Sequence, residues 1–439
     1  MLTLGSNHLL LGAAVADPNP LMIAPFAVLL LAIAVMPFLN RAWWHHHYPK
    51  VSVALGVITV FYYVAVLHNG PRLGHVAHEY ISFMALIGSL YVVAGGIHLC
   101  VKGGARPGMN CLFLFIGAVL ANVIGTTGAS MLLIRPWLRM NQYRVTAYHV
   151  VFFIFIVSNI GGCLTPIGDP PLFLGYIKGV PFWWVLTTCW EAWLICVLGL
   201  LGVFYVVDRR NFLRAPQPVR EKETAHETWQ LSGAGNLGFL GLILVAVFIK
   251  EPPFVSEGLM VAAALGSWFT TPNRIHEANA FNFEPIREVA WLFAGIFATM
   301  VPALDYLEIH ADQLHLNSDF KFFWLTGLLS AGLDNAPTYL TFLAAAMGRL
   351  HLSLGDPTQV QVFVAQHDHE LIAISLGAVF FGAMTYIGNG PNFMVKAIAE
   401  QSKARTPSFL EYLWRYALPV LIPLFAVISL LFFSRWRVF

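Results

Sequence analysis

Long apolar runs separated by short polar stretches set the pattern of this chain. Runs of about 17–25 residues, the length a helix needs to cross a bilayer, fall near 21–39, 51–68, 80–101, 182–206, 232–249, 256–271, 286–306 and 409–434. Four other apolar stretches are interrupted. Residues 110–140 form two halves around Ala121-Asn122-Val123-Ile124-Gly125-Thr126-Thr127-Gly128, each too short to cross, and the pattern predicts a re-entrant hairpin. Residues 320–348 repeat it around Gly332-Leu333-Asp334-Asn335-Ala336-Pro337-Thr338. The stretches 147–178 and 370–401 read as helices broken in the middle.

The two breaks answer each other. Thr165-Pro166-Ile167-Gly168-Asp169-Pro170-Pro171 and Thr385-Tyr386-Ile387-Gly388-Asn389-Gly390-Pro391 share the form Thr-x-Ile-Gly-[Asp/Asn]-x-Pro. Gly168, Pro170, Pro171, Gly388, Gly390 and Pro391 dismantle the helix, releasing backbone groups that a membrane protein tolerates only against protein or a polar cavity. Paired broken helices in corresponding halves point to the binding site of a secondary transporter. The order of three spans, a hairpin, a broken helix and a final span occurs twice. Locally, Glu79 to Leu86 also resembles Glu288 to Gly295. The expected fold is an all-α membrane protein built from inverted repeats, residues 1–207 and 232–439, joined by a polar linker at 208–231.

Composition narrows the class. The chain is 58% hydrophobic and 11% charged, with a mean hydropathy of +0.68, against about 25% charged residues in a soluble domain. Its near-neutral balance gives nucleic acid nothing to bind. The five cysteines show no metal spacing and read as buried thiols. The run Leu9–Ala16 is short and lacks a basic flank, so a cleaved signal peptide is not favoured. A cytoplasmic linker puts 18 of the 25 Lys and Arg residues on its side of the membrane, as the positive-inside rule asks. The location this implies is the plasma (inner) membrane, crossed many times.

Candidate chemistry concentrates at the four helix breaks. Asp169 and Asp334 each precede an early-turn proline in the manner of an N-cap. A carboxylate at membrane depth costs at least about 2.5 kcal/mol, and Asn389 caps without that cost, so capping alone is a poor reason for an Asp. Asn122, Thr126, Thr127, Ser158, Asn159, Thr165, Asn335, Thr338, Thr385, Asn389 and Asn392 supply neutral oxygens suited to a hard cation. The expectation is a sodium site at Asp334, Asn335, Asp169 and Thr165, with no cofactor beyond the transported sodium and protons. Asp334 ranks first of the carboxylates, because Asp169 has a neutral counterpart in Asn389. Glu191 reads as a structural hydrogen-bonding group, and His98, His149 and His45-His46-His47 as interfacial histidines. No HExxH motif or nucleophile–base pairing supports an enzyme.

The segment Ser158-Asn159-Ile160-Gly161-Gly162-Cys163-Leu164-Thr165-Pro166-Ile167-Gly168-Asp169 resembles the NhaD-type sodium/proton antiporter branch of the ion transporter superfamily, and Asp334-Asn335 resembles that branch's acidic second hairpin. The first hairpin tip departs from the branch in lacking an acidic residue. It also lacks the Ser-Asn-Thr signature of the dicarboxylate symporters. The resemblance implies a homodimer whose hairpins and broken helices move as a unit against a scaffold. Its substrates would be a small inorganic cation and protons, with a citrate or other di/tricarboxylate symporter as the alternative.

Overall fold

A computed structural model describes residues 17–102, 105–224, 228–249 and 251–434. The run Leu9–Ala16 and the basic residues Lys250, Arg435 and Arg437 lie outside the described residues. In order come α1 (Ala24–Leu39), α2 (Arg41–Phe61, prolonged by a π-turn at Tyr62–Val66), α3 (Gly70–Gly95), β1 (His98–Lys102), α4 (Pro107–Met140), α5 (Ala147–Ile156), α6 (Pro170–Lys178), α7 (Trp184–Arg214), α8 (Gln217–Thr224), β2 (Thr228–Ser232), α9 (Asn236–Ala246) and α10 (Val255–Thr270). The rest of the chain forms α11 (Asn273–Ala278), α12 (Glu284–His310), α13 (Asp319–Gly332), α14 (Asn335–Gly348), α15 (Pro357–Gln366), α16 (Asp368–Phe381), α17 (Gly390–Gln401), α18 (Phe409–Tyr412) and α19 (Leu418–Phe432).

Among the described residues, eight helical segments are long and apolar enough to cross a membrane. They carry exposed Val57, Phe61, Leu198 and Leu430, an apolar exterior that is stable against lipid and not against water. This is an all-α, multi-pass membrane protein.

Several boundaries differ from the sequence pattern. Helix α2 starts at Arg41, so His45–His47 lie inside it. Helix α3 stops at Gly95, because His98–Lys102 pair antiparallel with Thr228–Ser232. The linker is thereby tied to the α3–α4 connection. Asp208, assigned to the linker above, is instead buried near the end of α7. Arg144 pairs with it, Tyr148 and Asn110 donate to it at 2.8 Å, and Nε2 of His149 lies 3.3 Å away. A buried charge persists only when paired and hydrogen-bonded in this way. His149 is therefore a core residue rather than an interfacial one, and the ring of His98 bonds the Asn279 side chain at 2.7 Å.

The helices pack as two sets. Helices α1, α2, α3, α9, α10 and α12 pack on one another; α4 to α7, α13, α14, α16, α17 and α19 form the other set. The main contacts between the sets are α3 against α4 and α12 against α14. Helix α4 folds back on itself at Gly125, whose φ of +74° and ψ of 156° interrupt the helix. Such a φ suits only glycine without strain. A straight helix of 34 residues would span about 50 Å. Here Asn110 donates to Asn141 at 2.9 Å instead, so the two ends meet.

Candidate functional site

Each broken helix is held open by the same three interactions. Thr165 donates its hydroxyl to the Asn122 carbonyl at 2.6 Å and accepts the Gly168 N–H at 3.1 Å. Thr385 donates to the Ala331 carbonyl at 2.7 Å and accepts the Gly388 N–H at 3.1 Å. Gly168 lies against the carbonyl of Gly162, and Gly388 against that of Gly382, with no room for a side chain at either. The motif therefore extends back to Gly162 and Gly382, which stand in the same 220-residue correspondence as Thr165 and Thr385.

Four helix starts meet at Asp169, which is fully buried. Thr126, first residue after the Gly125 break, donates its hydroxyl to Oδ1 at 2.8 Å. Asn389, at the start of α17, donates to the same oxygen at 2.9 Å. Asn335, the first residue of α14, donates to Oδ2 at 2.6 Å. Asp169 itself precedes α6. Helix amino termini carry partial positive charge, so their convergence supports a carboxylate although none of the three donors is charged.

Asp334 is used differently. It caps α14, accepting the Ala336 N–H at 3.0 Å, while its carbonyl accepts the Thr338 hydroxyl at 2.9 Å. The expectation that ranks Asp334 first takes Asn389 as the neutral counterpart of Asp169. In the structure that counterpart is one of the donors to Asp169.

The remaining candidates divide into braces and possible ligands. Asn122 donates to the carbonyls of Ala118 and Gly161 and accepts the Leu164 N–H, which fixes the first break. Asn392 donates to the carbonyls of Gly382 and Thr385 and accepts from Asn159 at 2.7 Å, which fixes the second. The Ser158 hydroxyl bonds that of Ser130, and its carbonyl accepts from Asn389. Ser130 has no signal of its own in the sequence. Two buried amide oxygens, Asn335 Oδ1 and Asn159 Oδ1, have no hydrogen-bond partner among the described residues, and the two amides flank Gly382. An unsatisfied buried acceptor costs about 1–3 kcal/mol, and a hard cation prefers such oxygens. A cleft reaches Asp169 between Leu86, Leu90 and Tyr91 of α3 and the breaks at Gly125–Gly128 and Pro166–Pro170; Thr127 lines it. Among the described residues, no three His, Cys, Asp or Glu side chains cluster as metal ligands, the His45–His47 run included.

A multi-pass membrane protein of broken helices around a buried carboxylate has the build of a transporter. The family described as "Putative citrate transport" matches residues 16–433, nearly the whole chain, and the protein belongs to that family. It is a citrate-transporter-like membrane carrier of a transporter family, not an enzyme family. The chain is also similar to a "46 kDa membrane protein" of Mycobacterium leprae (strain TN), 26% identical over 322 residues, covering 69% of this chain and 71% of that one.

Proposed function

We propose that the protein is a sodium/proton antiporter in which Asp169 holds either a proton or a sodium ion. The observation that carries this reading is the Asp169 carboxylate with three neutral donors and, among the described residues, no charged one. A multiply charged anion would meet the field of that carboxylate, whereas a cation or a proton neutralises it. Asn335 and Asn159 turn their free amide oxygens to the cation, and Asp334 caps the helix that presents Asn335. Freed carbonyls at broken helices are the usual further ligands of such ions.

In the same reading, α4 and the α13–α14 pair are re-entrant hairpins entering from opposite faces of the plasma membrane. The two halves of the chain are inverted repeats. The linker is cytoplasmic, and the protein works as a homodimer. The set containing Asp169 moves as a body along α3 and α12, exposing the site to each side in turn. The grouping of helices into two sets, with α3 and α12 alone providing the main contacts between them, supports this elevator-type motion.

A second reading, a sodium- or proton-coupled citrate symporter, is favoured by the description of the family. Purified protein in vesicles carrying a proton gradient separates the two. Sodium or lithium added outside should dissipate the gradient, with citrate having no effect. Citrate uptake without cation-driven proton movement would overturn the antiport reading in favour of the symporter.

A further inference from the structure

Helix α6 carries Asp169 at its start and Lys178 at its end. It packs along α14, where Gly175 makes room for the Tyr339 ring. Toward the other set of helices, Tyr176 donates to the Val247 carbonyl at the end of α9 at 2.8 Å, and a second link is different in kind. Lys178 Nζ donates to Glu79 Oε1 of α3 at 2.6 Å, with the two side chains 4% and 15% exposed. Two turns earlier on α3, Arg72 binds Asp305 of α12 through Nε and Nη2 at 3.1 and 2.7 Å, and Tyr63 donates to the other oxygen of that carboxylate. The Arg72 pair joins helices of one set, whereas the Lys178 pair crosses from one set to the other. A well-shielded ion pair is strongly conformation-dependent, because parting its members leaves two poorly hydrated charges.

We propose that Glu79 and Lys178 form a latch that holds α6, and with it Asp169, against α3 in the conformation described here, and that opens when the site changes sides. The inference rests on the alternating-access reading above. Both are positioning residues: neither touches Asp169, and each acts through the placement of α6. Neutralising either charge removes the mutual attraction and shifts the balance between the two orientations of the site. Exchanging the charges keeps the attraction.

The test uses full-length protein with its five cysteines replaced and Thr127→Cys as a reporter in the cleft. A membrane-impermeant thiol reagent is applied from each side, so the readout does not depend on which ion is transported. Glu79→Gln and Lys178→Met are each expected to change the ratio of inside to outside labelling rates by about tenfold, the effect of 1.4 kcal/mol. The exchange Glu79→Lys with Lys178→Glu should bring it back toward the parent value. An unchanged ratio in both single variants, or an exchange variant no closer to the parent than they are, would overturn the latch. A second measurement uses Glu79→Cys with Lys178→Cys and a short bis(methanethiosulfonate) cross-linker, which forms a reducible disulfide with each cysteine and releases methanesulfinate. Cross-linking should stop sodium-driven proton flux and reduction should restore it; undiminished flux in the cross-linked protein would equally refute the latch. If the parent protein moves no protons with sodium, the antiport reading fails while the labelling ratios still decide the latch.

Discussion

Asp169 and Asp334 occupy the same kind of position and do opposite things. Each is the residue before a helix, in extended conformation, at a break in an apolar stretch. Asp334 is followed by Asn335 and Ala336, and the Ala336 N–H is there to be capped. Asp169 is followed by Pro170 and Pro171. Proline has no N–H, so the second helical position, one of the two an N-cap side chain bonds, offers nothing. Asp169 makes no side-chain cap, and its oxygens are left for Thr126, Asn389 and Asn335. One extra proline turns a local cap into the meeting point of four helices.

The largest effect should come from closing the space that lets the breaks approach each other. Gly168→Leu and Gly388→Leu would each press a side chain into a backbone carbonyl. We expect both to abolish transport and to lower thermal stability, since overpacking costs about 1–3 kcal/mol. Wild-type flux in either variant would mean that the motif serves packing alone. Next come the donors. Asn335→Ala and Asn389→Ala each remove a partner of a buried carboxylate, and roughly 10- to 100-fold weaker sodium half-saturation is expected, corresponding to about 1–3 kcal/mol. Values within threefold of wild type would argue that the cation binds elsewhere.

A smaller change tests the proline argument itself. Pro171→Ala returns an N–H to the second position of α6, so Asp169 gains a local donor and loses some of its hold on the other three helices. Sodium half-saturation should weaken by about threefold while helix stability is kept or raised; a stronger sodium response would contradict it. The smallest effect is expected at Asp334. Asn caps as well as Asp, so Asp334→Asn should leave proton flux within about threefold of wild type, and a complete loss would return Asp334 to the first rank.

Much of this was legible in the sequence. Six of the apolar runs coincide with helices long enough to cross a membrane, whereas 232–249 and 256–271 form the shorter helices α9 and α10; the 220-residue correspondence between Thr165 and Thr385 marks both breaks. What escaped depended on partners far away along the chain. The burial of Asp208 follows from Arg144, 64 residues earlier, and neither position carries a local signal for the other. The strand pair joins residue 98 to residue 232 through two five-residue segments too short to stand out. Which side chains face Asp169 also depends on distant partners, Thr126, Asn335 and Asn389, and locally only the Pro170-Pro171 pair, which removes one of the N–H groups a cap would bond, hints at it.

The most direct measurement compares Asp169→Asn with Asp334→Asn in proton-loaded vesicles, following proton flux against sodium concentration from pH 6 to 9, with insertion and thermal stability checked for both. Sodium-driven flux should vanish in Asp169→Asn at every pH and persist in Asp334→Asn. Full exchange in Asp169→Asn, with the pH profile of the wild type, would contradict the assignment of the exchanging site to that carboxylate.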